Sequence, residues 1–348
     1  MGLHAHVNSA QLKRLDRKLL DRAPRWRDVI YGFGGGRGGG VSGWSAGPAL
    51  TQPRWQTQGL AVGGKIWAIG GYYESGLCAD IDIYDPATGT WTVLANPFSG
   101  WGQTFAVASN GKVYAMGGLA SCLTLAGTVE EYDPASAVLT PMANIPVSTY
   151  QPGIAASATG KIYVVGGCVP PTALNGMVGP PSYLDILQVY DTQSGAWTIK
   201  RSMPTQRFGL AAVFGADGKL YAMGGHGPDG HPVAEVHVYD PATDMWTSCA
   251  PLPSPRYHVV GVRAASTGRI FAIGGLNVLA GLTDVDEFDP VTNTWSARSG
   301  LVQGRWFHGA AALGDTIYVM GGSTRIGDYV PDNSNIQVLA SVEVATAI

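Results

Sequence analysis

The sequence RIFAIGG, residues 269–275, is a short apolar run that ends in two glycines. Five other runs share this pattern: KIWAIGG at 65–71, KVYAMGG at 112–118, KIYVVGG at 161–167, KLYAMGG at 219–225 and TIYVMGG at 316–322. A turn of small residues and a second apolar run precede each one, which predicts a two-stranded hairpin. The glycine pairs follow one another at intervals of 47 to 58 residues. Self-similarity at such a period predicts a repeat architecture.

Two further strands are predicted in each repeat. In five repeats an aromatic–Asp corner follows the hairpin: Tyr84-Asp85, Tyr132-Asp133, Tyr190-Asp191, Tyr239-Asp240 and Phe288-Asp289. Six residues after each Asp stands a tryptophan, or Leu139 in the second repeat, at the start of a fourth strand. Trp44 starts a predicted fourth strand, but no first, second or third strand precedes it. The last repeat has the reverse pattern, because it ends at its third strand, near 341–345. A ring closed by the N-terminal strand protects both open edges.

This pattern resembles the kelch family of β-propellers. The resemblance rests on the glycine pairs, the aromatic-Asp-Pro corners and the tryptophans, and it covers residues 44 to about 346. It implies an all-β fold, a six-bladed propeller of four-stranded antiparallel blades closed by an N-terminal strand. The departures are Leu139 for tryptophan, Thr192 for proline and the missing corner in the sixth repeat. We expect the glycine pairs where backbones crowd near the axis, because glycine allows close approach and a positive φ.

Composition excludes several classes of protein. Charged residues make up 14% of the 348 residues and the net charge is -3, which favours neither nucleic acid nor an anionic membrane as partner. No apolar run reaches the roughly 18 residues of a membrane span. The N-terminus lacks the apolar segment of a secretory signal, so we expect a cytoplasmic location. The four cysteines have no CxxC spacing, and we expect isolated thiols, with a Cys78–Cys122 disulfide as the alternative.

Residues 1–43 differ from the rest of the chain. They carry eight Lys and Arg against three Asp, and they end in the glycine-rich stretch GFGGGRGGG at 32–40. Leucines at helical spacing, Leu12, Leu15 and Leu19, predict one short helix. We therefore predict a flexible basic tail ahead of a propeller domain at 44–348. The alternative is a docking peptide for an acidic partner.

Strand order predicts where a ligand would bind. The loop into the first strand and the loop between the second and third strands lie at one end of every blade, which we call the top. The predicted ligand-binding residues cluster at the start of the first strands: Arg54, Gln56, Trp101, Gln103, Tyr150, Gln151, Arg207, Arg256, Tyr257, His258, Arg305, Trp306 and His308. The long loops 168–185 and 323–340 are expected to flank this mouth. Arginines and aromatics suit a protein or a small polar, carboxylate-bearing ligand.

Structural roles are the alternative for the same residues. The aromatic side chains can pack between blades, and the arginines can make hydrogen bonds within them. His258 and His308 come from adjacent blades at nearly equivalent places, so a shared metal is a further alternative. No carboxylate stands clearly beside them, and we predict neither a metal nor another cofactor.

Two enzyme hypotheses compete with a binding role. Tyr257-His258 resembles the copper-binding pair of galactose oxidase-type enzymes, but Gln151 stands where that family has a cysteine joined to tyrosine. Sialic acid mutarotases of similar size use a carboxylate and an arginine, for which Glu74 or Asp80 with Arg54 or Arg256 are candidates. No HExxH or P-loop motif occurs. A ligand- or protein-binding propeller is the leading hypothesis, and a sugar-modifying enzyme is the alternative.

Overall fold

The computed structural model describes residues 43–73, 76–78, 80–99, 105–117, 127–169, 181–278, 280–324 and 337–347. These residues form strands and turns and contain no helix. The predicted tail at 1–43 lies almost wholly outside them, as do Glu74, Trp101, Gln103, Cys122 and the middle of both long loops.

The described strands fall into six blades. The first strand is β1 (Ser45–Gly47). Blade 1 has β2 (Gln58–Val62), β3 (Lys65–Ile69), the small pair β4 (Tyr72–Tyr73) and β5 (Gly76–Leu77), β6 (Asp80–Asp85) and β7 (Thr90–Ala95). Blade 2 has β8 (Phe105–Ser109), β9 (Lys112–Met116), β10 (Val129–Asp133) and β11 (Val138–Met142). Blade 3 has β12 (Gly153–Ala156), β13 (Lys161–Val165), the pair β14 (Cys168–Val169) and β15 (Ser182–Tyr183), β16 (Leu187–Asp191) and β17 (Ala196–Lys200).

The second half of the ring repeats this plan. Blade 4 has β18 (Ala211–Phe214), β19 (Leu220–Met223), β20 (Val236–Asp240) and β21 (Met245–Ser248). Blade 5 has β22 (Val260–Arg263), β23 (Ile270–Ile273), β24 (Val285–Asp289) and β25 (Thr294–Ala297). Blade 6 has β26 (Gly309–Leu313), β27 (Thr316–Met320) and β28 (Val342–Thr346), with β1 as its outermost strand.

Each blade is a four-stranded antiparallel sheet, and the blades form a ring. The inner strands β2, β8, β12, β18, β22 and β26 contact one another in succession, and β26 contacts β2. In blade 6, β1 pairs with β28 so that Ser45 lies opposite Val344. The predicted all-β, six-bladed propeller is confirmed.

The hydrophobic core lies between neighbouring blades. Between blades 5 and 6, for example, Phe271 and Ile273 pack with Ile317 and Val319. The second strand of a blade is buried on both faces, as in the fully buried β23. This explains why the second strands are continuous apolar runs rather than alternating ones.

The glycine pairs lie where one blade meets the start of the next. Gly274 has a φ of +55°, and a Cβ there would lie 2.8 Å from the carbonyl oxygen of Arg305. Gly224 has a φ of +62°, and its Cβ would lie 2.6 Å from the carbonyl oxygen of Arg256. Both the left-handed backbone and the close approach require glycine.

The tryptophans of the fourth strands tie adjacent blades together. In each described case the indole N–H donates to a backbone carbonyl of the preceding blade at 2.8 Å: Trp44 to Ser299, Trp91 to Pro48, Trp197 to Ala143, Trp246 to Arg201 and Trp295 to Ala250. Leu139 cannot make this bond, and instead it packs against the core between blades 1 and 2.

The described cysteines are free thiols. Cys78 and Cys168 are buried and Cys249 is partly buried. Burial raises the pKa of both Cys78 and Cys168 to about 12, so these thiols stay protonated at neutral pH.

Candidate functional site

The four predicted arginines lie inside the blades. Arg54, Arg207, Arg256 and Arg305 are all 0% exposed. In blade 5, Nη2 of Arg256 lies 2.5 Å from the carboxylate of Asp286 on the third strand. In blade 6, Nη2 of Arg305 lies 2.5 Å from the carboxylate of Glu343, and in blade 1 Arg54 lies 3.2 Å from Asp82. A carboxylate ligand would therefore find no exposed guanidinium at these positions.

Arg207 in blade 4 has a different partner. Its Nη2 lies 3.0 Å from Nδ1 of His237, where the other three blades have a carboxylate. Its Nη1 donates to the carbonyls of Gly224 and Glu235, each at 2.8 Å. Burial lowers the pKa of Arg207 to about 10. Burial and then the charge of Arg207 lower the pKa of His237, so a neutral imidazole accepts this hydrogen bond.

The residues two places after the arginine positions form a ring at the top of the axis. We call Gln56, Gln151, Gly209, His258 and Phe307 the mouth ring; they have φ values of 56°, 50°, 62°, 51° and 52°. Backbone hydrogen bonds join members on adjacent blades: Gln56 N–H to the Phe307 carbonyl at 2.7 Å, Gly209 to Gln151 at 2.8 Å and His258 to Gly209 at 2.7 Å. A left-handed backbone is costly for a side chain larger than glycine, and such bonds help to hold it.

Below the mouth ring lies a cavity of about 370 Å³ along the axis, which we call the channel. Its walls are the inner strands, rich in glycine, alanine and valine, and Arg263 lies at the opposite end, where β22 finishes. Among the described residues that line the channel there is no Asp or Glu. The amide oxygens of Gln56 and Gln151 are buried and have no hydrogen-bond partner.

His258 lies in the mouth ring among aromatic side chains. Its ring centroid is 3.8 Å from that of Phe307, 4.5 Å from Tyr257 and 5.6 Å from Trp306. Burial, then the nearby His226 and His308, lower its pKa well below the usual value. His258 is therefore neutral at physiological pH.

His308 occupies a different position from His258. The counterpart of His258 in blade 6 is Phe307, so His308 corresponds to Val259. A Cβ on Gly274 of blade 5 would lie 2.7 Å from Cε1 of His308, so the imidazole packs between blades. His308 is 2% exposed and neither ring nitrogen has a hydrogen-bond partner. His308 is among the residues that line the channel, but its ring is buried against Gly274 of blade 5.

No metal site emerges from this arrangement. Within the part of the chain that the structure describes, no group of three or more His, Cys, Asp or Glu is placed to hold a metal ion. The carboxylate of Asp80, a candidate for acid–base chemistry, accepts a hydrogen bond from the Tyr73 hydroxyl and lies 3.7 Å from Arg54.

An arc of aromatic rings runs along the mouth and shares His258 and Phe307 with the mouth ring. This aromatic arc consists of Tyr72, Trp55, Phe307, Trp306, His258, Tyr257, His226, Phe208 and Tyr183, each within 6.5 Å of the next. Trp306 is buried, and the other members are half-buried. Tyr150 of blade 3 is also half-buried, and its backbone pairs with Cys168. The same side chains thus pack between blades and are partly exposed at the mouth.

Some residues of the mouth were missed from the sequence. Phe307, Gly209 and Tyr183 are not among the predicted ligand-binding residues, yet they belong to the mouth ring or the arc. Aligning the repeats on the arginine would have found Phe307 and Gly209, because each stands two places after it, like His258. Tyr183 lies in a loop of irregular length and gave no such signal.

A closed ring of antiparallel four-stranded blades defines the class of β-propellers. The glycine pairs and the tryptophans that join the blades indicate which family of β-propellers this is. The chain belongs to the kelch-repeat family: the KLHDC2/KLHL20/DRC7 Kelch-repeats domain matches residues 106–322, and the Kelch motif matches 59–97.

The chain is also similar to several Kelch-like proteins. It is 27% identical to Kelch-like protein 35 of Mus musculus over 183 residues, 52% of this chain and 29% of that protein. It is 26% identical to Kelch-like protein 23 of Homo sapiens over 188 residues, 53% of this chain and 30% of that protein. Human Kelch-like protein 33 is 32% identical over 154 residues, 42% of this chain and 27% of that protein. The chain thus spans less than a third of these relatives.

The described residues include no helix long and apolar enough to cross a membrane.

Proposed function

We propose that this protein is a binding module that holds a ligand or a segment of a partner protein at its top mouth. The mouth comprises the mouth ring, the aromatic arc and the upper part of the channel. The observation that carries the proposal is the arc of half-buried rings around an axial cavity. Aromatic side chains supply much of the energy of binding surfaces, and ligand sites are apolar clefts with a few polar groups.

Hydrogen bonds that hold two described loops of the mouth support the same function. Both loops donate to third-strand side chains: the N–H of Val302 donates to Glu343 at 2.6 Å, and that of Val147 to Gln188 at 2.8 Å. A preorganised surface binds with less entropic loss than a mobile one.

Binding is favoured over catalysis at this site. General acid–base chemistry needs a titratable group within reach of the substrate. The described channel lining offers no carboxylate, and its histidines have lowered pKa values. Membership of a family that includes the Kelch-like proteins agrees with an interaction role.

The test is truncation of one half-buried member of the arc. We expect Trp55→Ala to weaken binding of captured and then purified partners at least about tenfold by calorimetry, as for an aromatic hot spot. The control is Val291→Ala, which removes a 93% exposed side chain on a turn at the opposite end. Trp55→Ala protein that is folded and binds every partner with unchanged affinity would overturn the proposal.

A further inference from the structure

Two acceptors in the mouth ring have no donor. The amide oxygens of Gln56 and Gln151 are buried, and no group in the described part of the chain donates to them. Both residues line the channel. A buried carbonyl without a partner is destabilising, and such exceptions in a folded protein need an explanation. Each oxygen would be satisfied by an N–H or O–H group of a ligand in the channel.

Three of the five backbone donors of the mouth ring, by contrast, are already in use. The N–H groups of Gln56, Gly209 and His258 each donate to a carbonyl of a neighbouring blade. An anion at the mouth would therefore find these three backbone N–H groups already engaged. The buried side-chain atoms of the mouth ring that lack a partner are acceptors, the amide oxygens of Gln56 and Gln151.

Charge at the mouth is compensated or absent. The guanidinium groups of Arg256 and Arg305 are paired with Asp286 and Glu343 inside the blades. Among the described lining residues, Arg263 alone carries a full charge, and it lies at the far end of the channel. A carboxylate or ammonium group entering from the top would lose its water without gaining a counter-ion, which is costly.

We propose that the group entering the channel from the top mouth is uncharged and donates hydrogen bonds, as a primary amide does, with Gln56 and Gln151 as its acceptors. This inference rests on the proposed function and assigns the chemistry of the same site. The flat ring of His258 and the face of Phe307, 3.8 Å apart by centroids, provide an apolar wall beside the acceptors. A planar amide fits such a wall and still offers its N–H groups to the two oxygens.

The test compares three small probes that share a propyl-length skeleton: propanamide, propanoate and propylammonium. Each is titrated into the full-length protein while the side-chain amide signals of Gln56 and Gln151 are followed by nitrogen-15 NMR. We expect saturable shifts of both signals with propanamide and none with the two ions. Loss of one acceptor in Gln151→Leu should weaken propanamide binding about two- to tenfold, the value of one neutral hydrogen bond.

The matched control is Gln193→Leu, the same substitution on an exposed turn at the opposite end of blade 3. It should bind propanamide as the wild type does. If Gln151→Leu fails to fold, Gln56→Leu and the selectivity of the wild-type protein still decide the question. Stronger shifts with either ion would overturn the inference and leave the mouth as a binding site. Absence of shifts with all three probes would overturn it as well, while the Trp55→Ala experiment judges the proposed function separately.

Discussion

Replacement of His308 by leucine should stabilise this protein. His308 fills a core position that Leu210 occupies in blade 4 and Val259 in blade 5, and all three are buried. Neither ring nitrogen of His308 has a hydrogen-bond partner. Natural cores bury polar groups with partners, so this imidazole is an exception that leucine, of similar volume, would remove.

The magnitude follows from the two nitrogens. Each unsatisfied buried donor or acceptor costs about 1–3 kcal/mol, and imperfect fit of leucine beside Gly274 costs up to about 1.5 kcal/mol. The two nitrogens together cost about 2–6 kcal/mol, so we expect a net gain of roughly 0.5–6 kcal/mol in the free energy of unfolding at pH 7.5. For a chain of this size that corresponds to a rise in melting temperature of about 1–9 °C.

The pH dependence separates this mechanism from a simple packing effect. Burial, then the charge of Arg305, lower the pKa of His308 in the folded state to about 3. The backbone of Ile273 opposes this shift, but it does not meet hydrogen-bond geometry with either ring nitrogen. In the unfolded chain the pKa is about 6.5, so the unfolded state binds more protons between these values. The wild type therefore loses stability as the pH falls below about 6.5. The advantage of His308→Leu should be larger at pH 5 than at pH 7.5.

Calorimetric melting of wild type and variant at both pH values tests this reasoning. The reciprocal change, Leu210→His, creates the same unpartnered imidazole in blade 4 and should lower the melting temperature, more so at pH 5. A destabilised His308→Leu protein at pH 7.5, or an advantage independent of pH, would refute the account. In that case the His308 nitrogens would have partners in solution.

Two other predictions concern residues that build the blades. Arg256→Met leaves the buried carboxylate of Asp286 without its ion pair, and it should lower the free energy of unfolding in urea by about 3–5 kcal/mol. Arg207→Met leaves only a neutral histidine and should cost about 2 kcal/mol less. Equal losses in the two variants would contradict this reasoning. Gly274→Ala and Gly218→Ala both place a Cβ on a backbone of positive φ, but a Cβ meets nothing within 4 Å at Gly218, so Gly274→Ala should melt at the lower temperature.

The fold could be predicted from the sequence because burial leaves a repeated signal. A strand buried on both faces, such as β23, is a continuous apolar run, and the close contact of Gly274 with the next blade requires glycine. Six copies of that signal, with one tryptophan per blade boundary except at Leu139, determine strand number and order. None of this depends on the direction of an individual side chain.

The site, by contrast, depends on side-chain direction, and there the sequence was less informative. His258 and His308 looked nearly equivalent, but a shift of one residue separates a position on the mouth ring from one in the core. The arginines resembled surface ligands because a charge is rarely fully buried. Their partners on the third strands, such as Asp286 and Glu343, come about 30 to 40 residues later, and only the folded blade brings them together.

The contacts of Glu343 determine how binding experiments on the mouth must be interpreted. Glu343 accepts hydrogen bonds both from Arg305 and from the N–H groups of Val302 and Gln303, so one carboxylate holds the arginine and the loop that leads to the mouth. Removing Arg305 would therefore disturb the loop even if no ligand ever touches the guanidinium. A loss of binding in such a variant does not identify a contact, whereas a loss in Trp55→Ala or Gln151→Leu at unchanged melting temperature does. The direct test of the mouth thus lies with its uncharged residues rather than with the arginines that first suggested it.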